Sequence, residues 1–549
     1  MEERIRKAIA DALSAEGAGG AAFAVERPTE AAHGDYATNA ALVVAKALGE
    51  RPHALAERLA EHLRRALLGI AERVEVAGPG FVNVTLSREA IALAVAEAAA
   101  RGEDWGKGTV RAGQRVMIEY TDPNPFKPMH IGHLMSNIIG EALARLTESE
   151  GASVTRANYG GDVGPHVAKA LWGLRAAGIT EPMSAEEIGK AYTAGAKAYE
   201  DDPKAKEEID ALNAAVYDGT DEALMNLWRR GREVSLRAFS ALYEKLGSKF
   251  DYFFFESETA APGLRLVADG LKKGVFEESE GALIYRGEAK GLHTLVFVTS
   301  RGTPTYEAKD LGLAFLKEER ASADESVIVT AAEQIGHFRV VFAALAELAP
   351  LIAAKTRHVP HGFLRLATGK MSSREGNVIT AADFITDVIK KAAEKNPDPQ
   401  IAEQVAIGAV KFMVLRQAPG QDIIFDPEKS LSLEGDSGPY LQYALVRAAK
   451  ILGYASEGAG GAAEPVEPYP IERLIVHFPE IVARAAREMA PNLLVNYLLE
   501  LVAAWNPFYA SEQVLGSPEE EYKLRVARAF ANTMANGLHV LGIPAPERM

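Results

Sequence analysis

The sequence predicts a multidomain α/β protein, and three observations lead to this fold class. The chain has 549 residues, which is enough for about three or four domains of ordinary size. Its middle part alternates short apolar runs with amphipathic helical stretches, whereas its last part has a helical pattern. We therefore expect an α/β domain over residues 1–110, a larger α/β domain over 111–395 and a helical domain over 396–549.

The first block combines helical stretches with short strands. Residues 52–68 have a helical pattern, residues 74–76 and 81–86 are strand-like, and AGPGF at 77–81 is a turn between them. This order predicts a small N-terminal α/β domain.

The middle block begins with a strand, a helix and a second strand. Residues 116–120 form an apolar run, a proline-rich loop follows, and the next strand lies near Val154. The intervening helix has a single apolar face and ends at Gly151. That face consists of Ile131, Leu134, Ile138, Ala142 and Leu146. The pattern is half of a nucleotide-binding fold of the Rossmann type.

A charge-rich helical stretch over about 175–290 interrupts this pattern. Strand-like segments return at residues 294–299, 326–331 and 358–364. We therefore predict a split Rossmann-type domain with a helical insertion. The third block is helical throughout, and its low-complexity segment at 455–470 is expected to be a flexible loop.

Composition excludes several classes of protein. The chain has no cysteine, which excludes disulfides, thiolate zinc sites and a cysteine nucleophile. No apolar run approaches the ~20 residues that span a bilayer, and the N-terminal segment lacks the apolar core of a signal peptide. We expect a cytoplasmic protein that does not bind membranes. A net charge of −15 restricts any RNA contact to local Lys/Arg patches.

A histidine-containing tetrapeptide lies at the junction of the first middle strand and its helix. In PFKPMHIGHLMSN at 125–137, His130 and His133 flank Gly132. A helix N-terminus offers free N–H groups, glycine lets a ligand approach the backbone, and imidazoles can donate to phosphate oxygens. Random order of 12 histidines and 48 glycines gives about 0.02 His-x-Gly-His occurrences. The motif predicts a triphosphate site, and a helix cap with two surface histidines is the alternative.

A polar loop, GKMSSREGN at 369–377, follows the last strand of the split fold. It contains Lys370, Met371, Ser372, Ser373 and Arg374. Its cations and hydroxyl groups could neutralise charge on a leaving pyrophosphate, where one well-placed donor is worth ~2.7 to 4 kcal/mol of barrier. The alternative is a solvated turn, because charged Gly/Ser loops are common.

Together the two motifs resemble the signatures of the class I aminoacyl-tRNA synthetases, present here as HIGH at 130–133 and KMSSR at 370–374. Within that class, the chain resembles the arginyl-tRNA synthetase family over nearly its whole length. The other matching segments are HGDYATNAAL at 33–42, AGPGFVNV at 77–84, EYTDPNPFKPMHIGH at 119–133, YEAKDLGLA at 306–314, EGDSGPYLQYALVR at 434–447 and LGIPAPERM at 541–549.

The resemblance implies an ATP-dependent ligase that joins L-arginine to tRNA(Arg) through an arginyl-adenylate. It assigns phosphate and adenosine binding to His130, Gly132 and His133, and it assigns pyrophosphate binding to Lys370 with the loop at 371–373. Mg²⁺ is expected with ATP, and no structural metal is expected. It also implies a helical anticodon-binding domain, an N-terminal domain that binds the tRNA elbow, and arginine activation that depends on bound tRNA. We expect the enzyme to act as a monomer.

The expected arginine site must recognise a planar cation with five donors, so it needs carboxylates placed for forked hydrogen bonds. Glu119 and Asp310 are the candidates. The resemblance adds Asn124, Tyr306 and Gln334 to the site. The structural alternatives are that Glu119 is a surface charge at a strand end and that Asp310 pairs with Lys309 or Lys317.

Residues for tRNA recognition are harder to identify. The resemblance points to Tyr443 and the terminal Met549 as anticodon contacts, while the other aromatic residues of the C-terminal helices are expected to be core. Aromatic faces can stack splayed bases at ~1 to 3 kcal/mol each. Phe81 and Asn83 are candidates for the tRNA elbow, with a role in the domain core as the alternative.

Three positions depart from the family pattern. Met135 replaces an arginine, GDVG at 161–164 replaces Gly-Asp-Trp-Gly, and Ser373 replaces the second lysine of KMSKS. The family commonly carries a lysine at the position of Lys127 when its signature loop lacks one, so Lys127 is a catalytic candidate. A solvated loop lysine is the alternative.

Two rival functions remain. Another class I synthetase would share both signatures, but the cysteinyl type needs thiolate-bound zinc and the large aliphatic-specific types need a much longer editing insertion. A non-catalytic RNA-binding relative would be expected to lose Lys370 or the two histidines, which this chain keeps.

Overall fold

The structure is a computed structural model that describes residues 1–366, 380–454 and 463–549. The chain forms two compact units. The first contains residues 1–107, 443–484 and 496–538, and the second contains residues 108–442, 485–495 and 539–549. Each unit is therefore assembled from separate parts of the sequence.

The N-terminal part of the first unit is an antiparallel sheet of strand order β1-β2-β4-β3 with four helices. Its elements are α1 (Glu2–Ala15), β1 (Val25–Glu26), β2 (Tyr36–Thr38), α2 (Ala40–Leu48), α3 (Pro52–Ala66), β3 (Ala71–Ala77), β4 (Phe81–Leu86) and α4 (Arg88–Arg101). Helix α3 starts with a proline, whose missing N–H is not needed there, and buries Leu55, Leu59 and Leu63. The helix and the two strands predicted here are confirmed.

The second unit contains the middle of the chain. Its elements are β5 (Arg115–Tyr120), α5 (Ile131–Ser149), β6 (Ser153–Gly160), α6 (Pro165–Ala176), α7 (Ala185–Asp201), α8 (Pro203–Asp218), α9 (Glu222–Leu246), β7 (Tyr252–Phe255), α10 (Glu256–Lys272), β8 (Glu277–Ser279), β9 (Ala282–Tyr285), β10 (Leu295–Val298), α11 (Tyr306–Ala321), β11 (Glu325–Ala331), α12 (Ile335–Leu348), α13 (Pro350–Ala354), β12 (Thr356–His361), β13 (Leu364–Leu366), α14 (Ala381–Lys395), α15 (Pro399–Leu415), β14 (Ile423–Phe425) and α16 (Pro427–Ser430).

Five of these strands form a parallel sheet in the order β12-β11-β5-β6-β7. The chain runs outward from β5 to β7 and then returns to the other side of β5 to add β11 and β12. The strand order therefore reverses between β5 and β11, and sheets of this type bind ligands beyond the carboxyl ends of the strands at that point. The predicted Rossmann-type fold is confirmed.

The first strand and helix of this sheet pack closely. On α5, Leu134, Ile138, Ala142 and Leu146 are buried, as their spacing predicts. Gly140 lies against the ring of Tyr120, and a Cβ there would be only 2.2 Å from Cγ of that ring. A larger residue at 140 would push the helix away from β5. After the helix ends, Gly151 adopts a φ of +89°, which few other residues tolerate.

The insertion is helical at first but contains more strands than expected. Helices α6, α7 and α9 pack around a shared apolar cluster that includes Leu171, Ile188 and Leu224. Strand β7 then adds an edge to the parallel sheet, and β8, β9 and β10 form a separate antiparallel sheet. The strand predicted at 294–299 corresponds to β10 and lies in this small sheet. Strands of three or four residues show too little alternation to be separated from a charge-rich helical background.

The end of the chain is helical, with elements α17 (Gly438–Tyr454), α18 (Pro470–Val476), α19 (Phe478–Glu488), α20 (Pro491–Ser511) and α21 (Glu520–Val540). The short strand β14, which pairs in parallel with β13, is the exception to the predicted helical block. Half of the expected loop at 455–470 lies outside the described residues. Within the described ranges, none of the helices has the length and apolarity needed to cross a bilayer.

Candidate active site

The loop that joins β5 to α5 is strained and firmly held. Thr121, Asp122 and Phe126 have φ values of 81°, 50° and 67°, which are uncommon for residues other than glycine. The amide of Thr121 donates to Ser136 Oγ at 2.9 Å, and the amide of Phe126 donates to Ser235 Oγ at 3.0 Å. Because helices on both sides fix this unfavourable backbone, the residues that follow it are positioned before any ligand binds.

His130 and His133 form a capping arrangement at the N-terminus of α5. The Nδ1 atom of His130 accepts from the Gly132 amide at 3.0 Å, and the Nδ1 atom of His133 accepts from the His130 amide at 3.2 Å. The two rings are 3.7 Å apart. The expected alternative, a helix cap, is therefore present as well. It does not compete with phosphate binding, because only one nitrogen of each ring is used.

These hydrogen bonds also fix the protonation of both rings. Since each Nδ1 is an acceptor, a neutral ring must carry its proton on Nε2. Removal from water lowers the pKa of His133 to about 3, with further lowering by His130 and Lys127. The pKa of His130 is lowered by the same two kinds of effect, loss of hydration and the charge of Lys127. At neutral pH the pair presents two uncharged Nε2–H donors.

The predicted pyrophosphate loop, with Lys370, Met371, Ser372 and Ser373, lies outside the described residues. The chain is described again from Thr380, which forms an antiparallel bridge with His130. The adjacent amide of Ala381 donates to the carbonyl of Met129 at 2.7 Å. The residue that follows the signature loop is thus attached directly to the first signature motif.

Glu119 is buried at the end of β5 and forms an ion pair with Lys317 of α11. Its side chain is only 3% exposed, which excludes the surface charge considered as an alternative. Burial raises the pKa of Glu119, and the charge of Lys317 opposes this effect. Glu119 is therefore a buried carboxylate with an internal lysine beside it.

Asp310 also has an internal cation as its partner. Its Oδ2 atom lies 2.5 Å from Nε2 of His337, and Nδ1 of the same ring lies 3.5 Å from Oε1 of Glu307. Burial disfavours the charged ring, but the two carboxylates outweigh it and raise the pKa of His337 to about 10. Neither Lys309 nor Lys317 is the partner, so both alternatives considered for Asp310 are wrong. Lys309 instead pairs with Glu256 at 2.6 Å.

The remaining arginine candidates lie at the same edge of the sheet. Asn124 follows β5 and its Oδ1 accepts from the Gly161 amide at 2.9 Å. Gln334 is the last residue of a 3₁₀ turn that directly follows β11. Strand β11 pairs with β5 in the parallel sheet. Tyr306 begins α11 and is 62% exposed, and its ring centre lies 5.3 Å from the ammonium of Lys309. All of these residues and both carboxylates belong to the switch point of the sheet or to the helix that enters β11.

Lys127 lies in the loop before His130 and contacts the insertion. Its ammonium is 5.1 Å from the ring centre of Tyr192 on α7. Its charge contributes to lowering the pKa of His130, His133 and His166. Because such effects require proximity, the lysine belongs to the same charged environment as the two signature histidines.

Sequence reasoning missed several residues around the site, namely Lys317, His337, Glu256 and Tyr192. A signal existed for Lys317, because it follows Asp310 by seven positions and so lies on the same face of α11. His337 gave no comparable signal, since its contact with Asp310 joins two different helices. Tyr192 could not be placed without knowing how the insertion folds.

Two of the sequence departures now have a structural context. Met135 is 1% exposed and so is a buried residue of α5. In GDVG, Asp162 is buried and accepts hydrogen bonds from the amide and hydroxyl of Ser257, while Val163 joins an apolar cluster. The valine therefore takes a core position. Ser373 lies outside the described residues.

The tRNA candidates of the first unit differ in exposure. Phe81 is 40% exposed at the start of β4, whereas Asn83 is 9% exposed in the middle of that strand. The burial of Asn83 favours a role in the domain core over contact with the tRNA elbow. In the C-terminal helices Trp505 and Phe508 are core residues, as expected. Tyr443 is partly exposed.

Tyr443 belongs to a small, partly exposed cluster of aromatic and cationic groups. The guanidinium of Arg447 lies 3.7 Å from the ring centre of Tyr509 and 5.6 Å from that of Tyr443. An arginine held between two aromatic faces is suited to stacking on unpaired bases. Met549 is partly exposed at the chain end in the second unit.

Across the described ranges, which omit residues 367–379 and 455–462, no three His, Asp or Glu side chains are grouped as ligands for a metal ion.

Profiles of three protein families match this sequence and together cover most of it. The profile of the class I tRNA synthetase (R) catalytic domain matches residues 95–427. The arginyl tRNA synthetase N-terminal domain matches residues 1–86, and the DALR anticodon-binding domain matches residues 441–549.

Individual arginine–tRNA ligases match this chain over nearly its full length. The arginine–tRNA ligase of Treponema pallidum is 31% identical, with 100% of this chain and 99% of the relative covered. That of Streptococcus pneumoniae is 32% identical over 96% of this chain and 95% of its own. The structure of arginyl-tRNA synthetase from Thermus thermophilus superimposes with a TM-score of 0.85 at 28% identity and covers 100% of both chains. The chain belongs to the arginyl-tRNA synthetase family.

Proposed function

We propose that this enzyme ligates L-arginine to tRNA(Arg) in two steps, with the residues at the β5–β11 switch point as its active site. ATP first reacts with the arginine carboxylate to give arginyl-adenylate and pyrophosphate. A hydroxyl of the terminal ribose of the tRNA then takes the arginyl group, and AMP leaves. The observation that carries the site assignment is that Glu119, at the end of β5, lies close enough to Asp310 for the two carboxylates to interact. The loop that follows β5 leads directly to the histidine pair.

In this proposal the N-terminus of α5 binds the triphosphate. The Nε2–H groups of His130 and His133 donate to phosphate oxygens, and Gly132 leaves room for the nucleotide. Neutral donors suit this task because they hold the phosphates without a strong ion pair that would have to be broken on release. ATP arrives as its Mg²⁺ complex, so the metal is part of the substrate. Lys370 and the loop at 371–373 act on the pyrophosphate.

The carboxylates recognise the other substrate. A guanidinium can form paired hydrogen bonds to Asp310 and Glu119, while Asn124 and Gln334 hold its amino-acid end and the exposed ring of Tyr306 covers its side chain. The site is positioned mainly by β5, β11 and α11, which are rigid elements. Catalysis then depends on orientation and charge neutralisation, with no protein nucleophile.

The direct test is aminoacylation of total tRNA with each of the twenty amino acids. Arginine alone is expected to be charged, and the reaction should require ATP, Mg²⁺ and tRNA(Arg). Charging of a different amino acid would favour another class I synthetase. Binding of tRNA without charging of any amino acid would favour the non-catalytic alternative.

A substitution at Lys127 tests the proposed stabilisation of the leaving pyrophosphate. Because Ser373 supplies a hydroxyl and no charge, the leaving pyrophosphate needs another cation, and Lys127 lies near the histidine pair. We expect Lys127→Ala to lower kcat for aminoacylation by roughly 10² or more, with little change in arginine or tRNA affinity, because the contact is made mainly in the transition state.

A matched control for Lys127 exists within the same domain. Lys169 on α6 also has its ammonium over a tyrosine ring, that of Tyr199 at 4.3 Å, but unlike Lys127 it is not among the charges that shift the pKa of His130 or His133. Lys169→Ala should keep the wild-type rate. Adding Ser373→Lys to the Lys127→Ala variant should restore part of the activity. A Lys127→Ala enzyme with a near wild-type rate would contradict the role.

The domain functions complete the proposal. Residues 1–110 bind the tRNA elbow through Phe81, with Asn83 as a weaker candidate. Residues 396–549 bind the anticodon through Tyr443 and Met549, and residues 111–395 are catalytic, with the insertion at about 175–290. We further propose that the enzyme is a cytoplasmic monomer.

A further inference from the structure

The arginine site contains two internal cations that the proposed reaction does not use. Lys317 neutralises Glu119, and His337 lies between Asp310 and Glu307. The two ion pairs are not equivalent. Lys317 and Glu119 are 7% and 3% exposed, whereas His337 and Asp310 are each 16% exposed. The second pair is the more accessible to an incoming solute.

His337 and a bound guanidinium would compete for the same atom. Paired hydrogen bonding of a guanidinium needs both oxygens of a carboxylate, and Oδ2 of Asp310 is already 2.5 Å from Nε2 of His337. If the ring stayed protonated, two cations would share one carboxylate in a half-buried site. Like charges at such short range are unfavourable where water is scarce.

On the basis of the proposed function, we propose that His337 is a specificity-determining residue. It stays paired with Asp310 until arginine arrives, and the ring then gives its proton to solvent. In the empty site the ring acts as a substitute for the guanidinium and keeps the buried carboxylate paired. Only a ligand that binds Asp310 better than this internal cation can displace it. The arrangement therefore disfavours ligands with weaker or less well-shaped cationic groups.

The charged groups around Asp310 and His337 support the loss of a proton from His337 when arginine binds. The groups with an electrostatic influence on Asp310 or His337 are Glu119, Asp122, Tyr159, Glu256, Glu307, Tyr306 and His358. Of these, His358 has its pKa lowered to about 4 by burial, so it remains neutral at pH 7 and cannot replace the charge of His337. His337 is thus the ring whose charge responds to Asp310.

The expected pH dependence follows from the sign of the shift. In the empty site the pKa of His337 is raised to about 10, so the ring is charged at physiological pH. When arginine takes Asp310, the pKa of His337 should fall toward its ordinary value of 6.5. Between roughly pH 7 and 9 arginine binding should release a proton, and its affinity should rise with pH, by up to about tenfold per unit.

The test is calorimetric titration of the full-length enzyme with arginine, with and without tRNA, at pH 8 in buffers of different ionisation enthalpy. The slope of observed heat against buffer enthalpy gives the number of protons released. We expect the wild type to release close to one proton more than His337→Gln does on binding arginine. Arginine affinity should rise between pH 7 and 9 in the wild type and stay flat in the variant.

Two further variants keep the test decisive. His358→Gln changes the neighbouring histidine and should release the same proton as the wild type. If His337→Gln does not fold, Glu307→Gln keeps the ring but removes one of its two anions, and it should release a smaller fraction of a proton. Equal release from the wild type and His337→Gln would overturn the inference. Absence of any arginine binding would instead overturn the proposed function, and this inference with it.

Discussion

Arginine is expected to be charged with a kcat/KM roughly 10⁴ times that of lysine, because sites built on specific hydrogen bonds reject analogues that leave those groups unpaired. The ammonium of lysine is compact and cannot form paired hydrogen bonds to a carboxylate. One ammonium already contacts Glu119, that of Lys317. A lysine substrate that displaced His337 from Asp310 would leave part of that carboxylate unpaired, and one that did not displace the ring would find the carboxylate occupied.

The discrimination is best measured as a ratio of kcat/KM in aminoacylation of tRNA(Arg), with lysine freed of traces of arginine. Citrulline is a useful control, because it has nearly the shape of arginine but no charge. Its rejection would show that charge as well as shape is required. A lysine rate within about tenfold of the arginine rate would contradict the recognition of the guanidinium by these carboxylates.

The second prediction is that Asp310→Asn raises the KM for arginine by roughly 10² to 10³ and changes the KM for ATP by less than about threefold. Two unit charges about 4 Å apart attract by ~4 kcal/mol at an effective dielectric constant of 20, and solvent screening reduces this value. Asp310 is 16% exposed, so the screening is incomplete. The asparagine also loses its ion pair with His337.

Glu307→Gln separates these two effects. Glu307 contacts the same histidine at 3.5 Å but is not a candidate for arginine binding. Its substitution should leave the KM for arginine unchanged or slightly lower. Steady-state kinetics with each substrate varied in turn will compare the two variants. Equal increases for arginine and ATP in Asp310→Asn would mean that Asp310 supports the fold of the site instead of contacting arginine.

Elements with a long local pattern were predicted correctly from the sequence, whereas several short strands were not. The strand at 115–120 and the helix at 131–149 were evident because an apolar run and a one-sided helix are properties of neighbouring residues. The histidine pair was found for the same reason, since both rings belong to one helix start. Strand β7 was missed because four residues do not establish a period.

The partners of the carboxylates show the limit of sequence reasoning. Asp310 was expected, if structural, to pair with a lysine near it in sequence, yet its partner is His337 on the next helix. Lys309 turns to Glu256, which begins a helix 53 positions earlier. Helix rotation decides which neighbour faces which carboxylate, and that rotation is set by packing against the sheet.

By itself the sequence determined the family and the α/β fold class, and it predicted which residues supply the charges, hydrogen-bond donors and carboxylates of the proposed site. Only the tertiary structure decided which of these groups meet. It showed that Glu119 contacts Lys317 and Asp310 contacts His337, that Nδ1 of each signature histidine accepts a backbone hydrogen bond, and that Asn83 and Met135 are buried. The physical reason is that motifs and periodicity describe local chemistry, whereas charge pairing and burial depend on contacts between elements far apart in the chain.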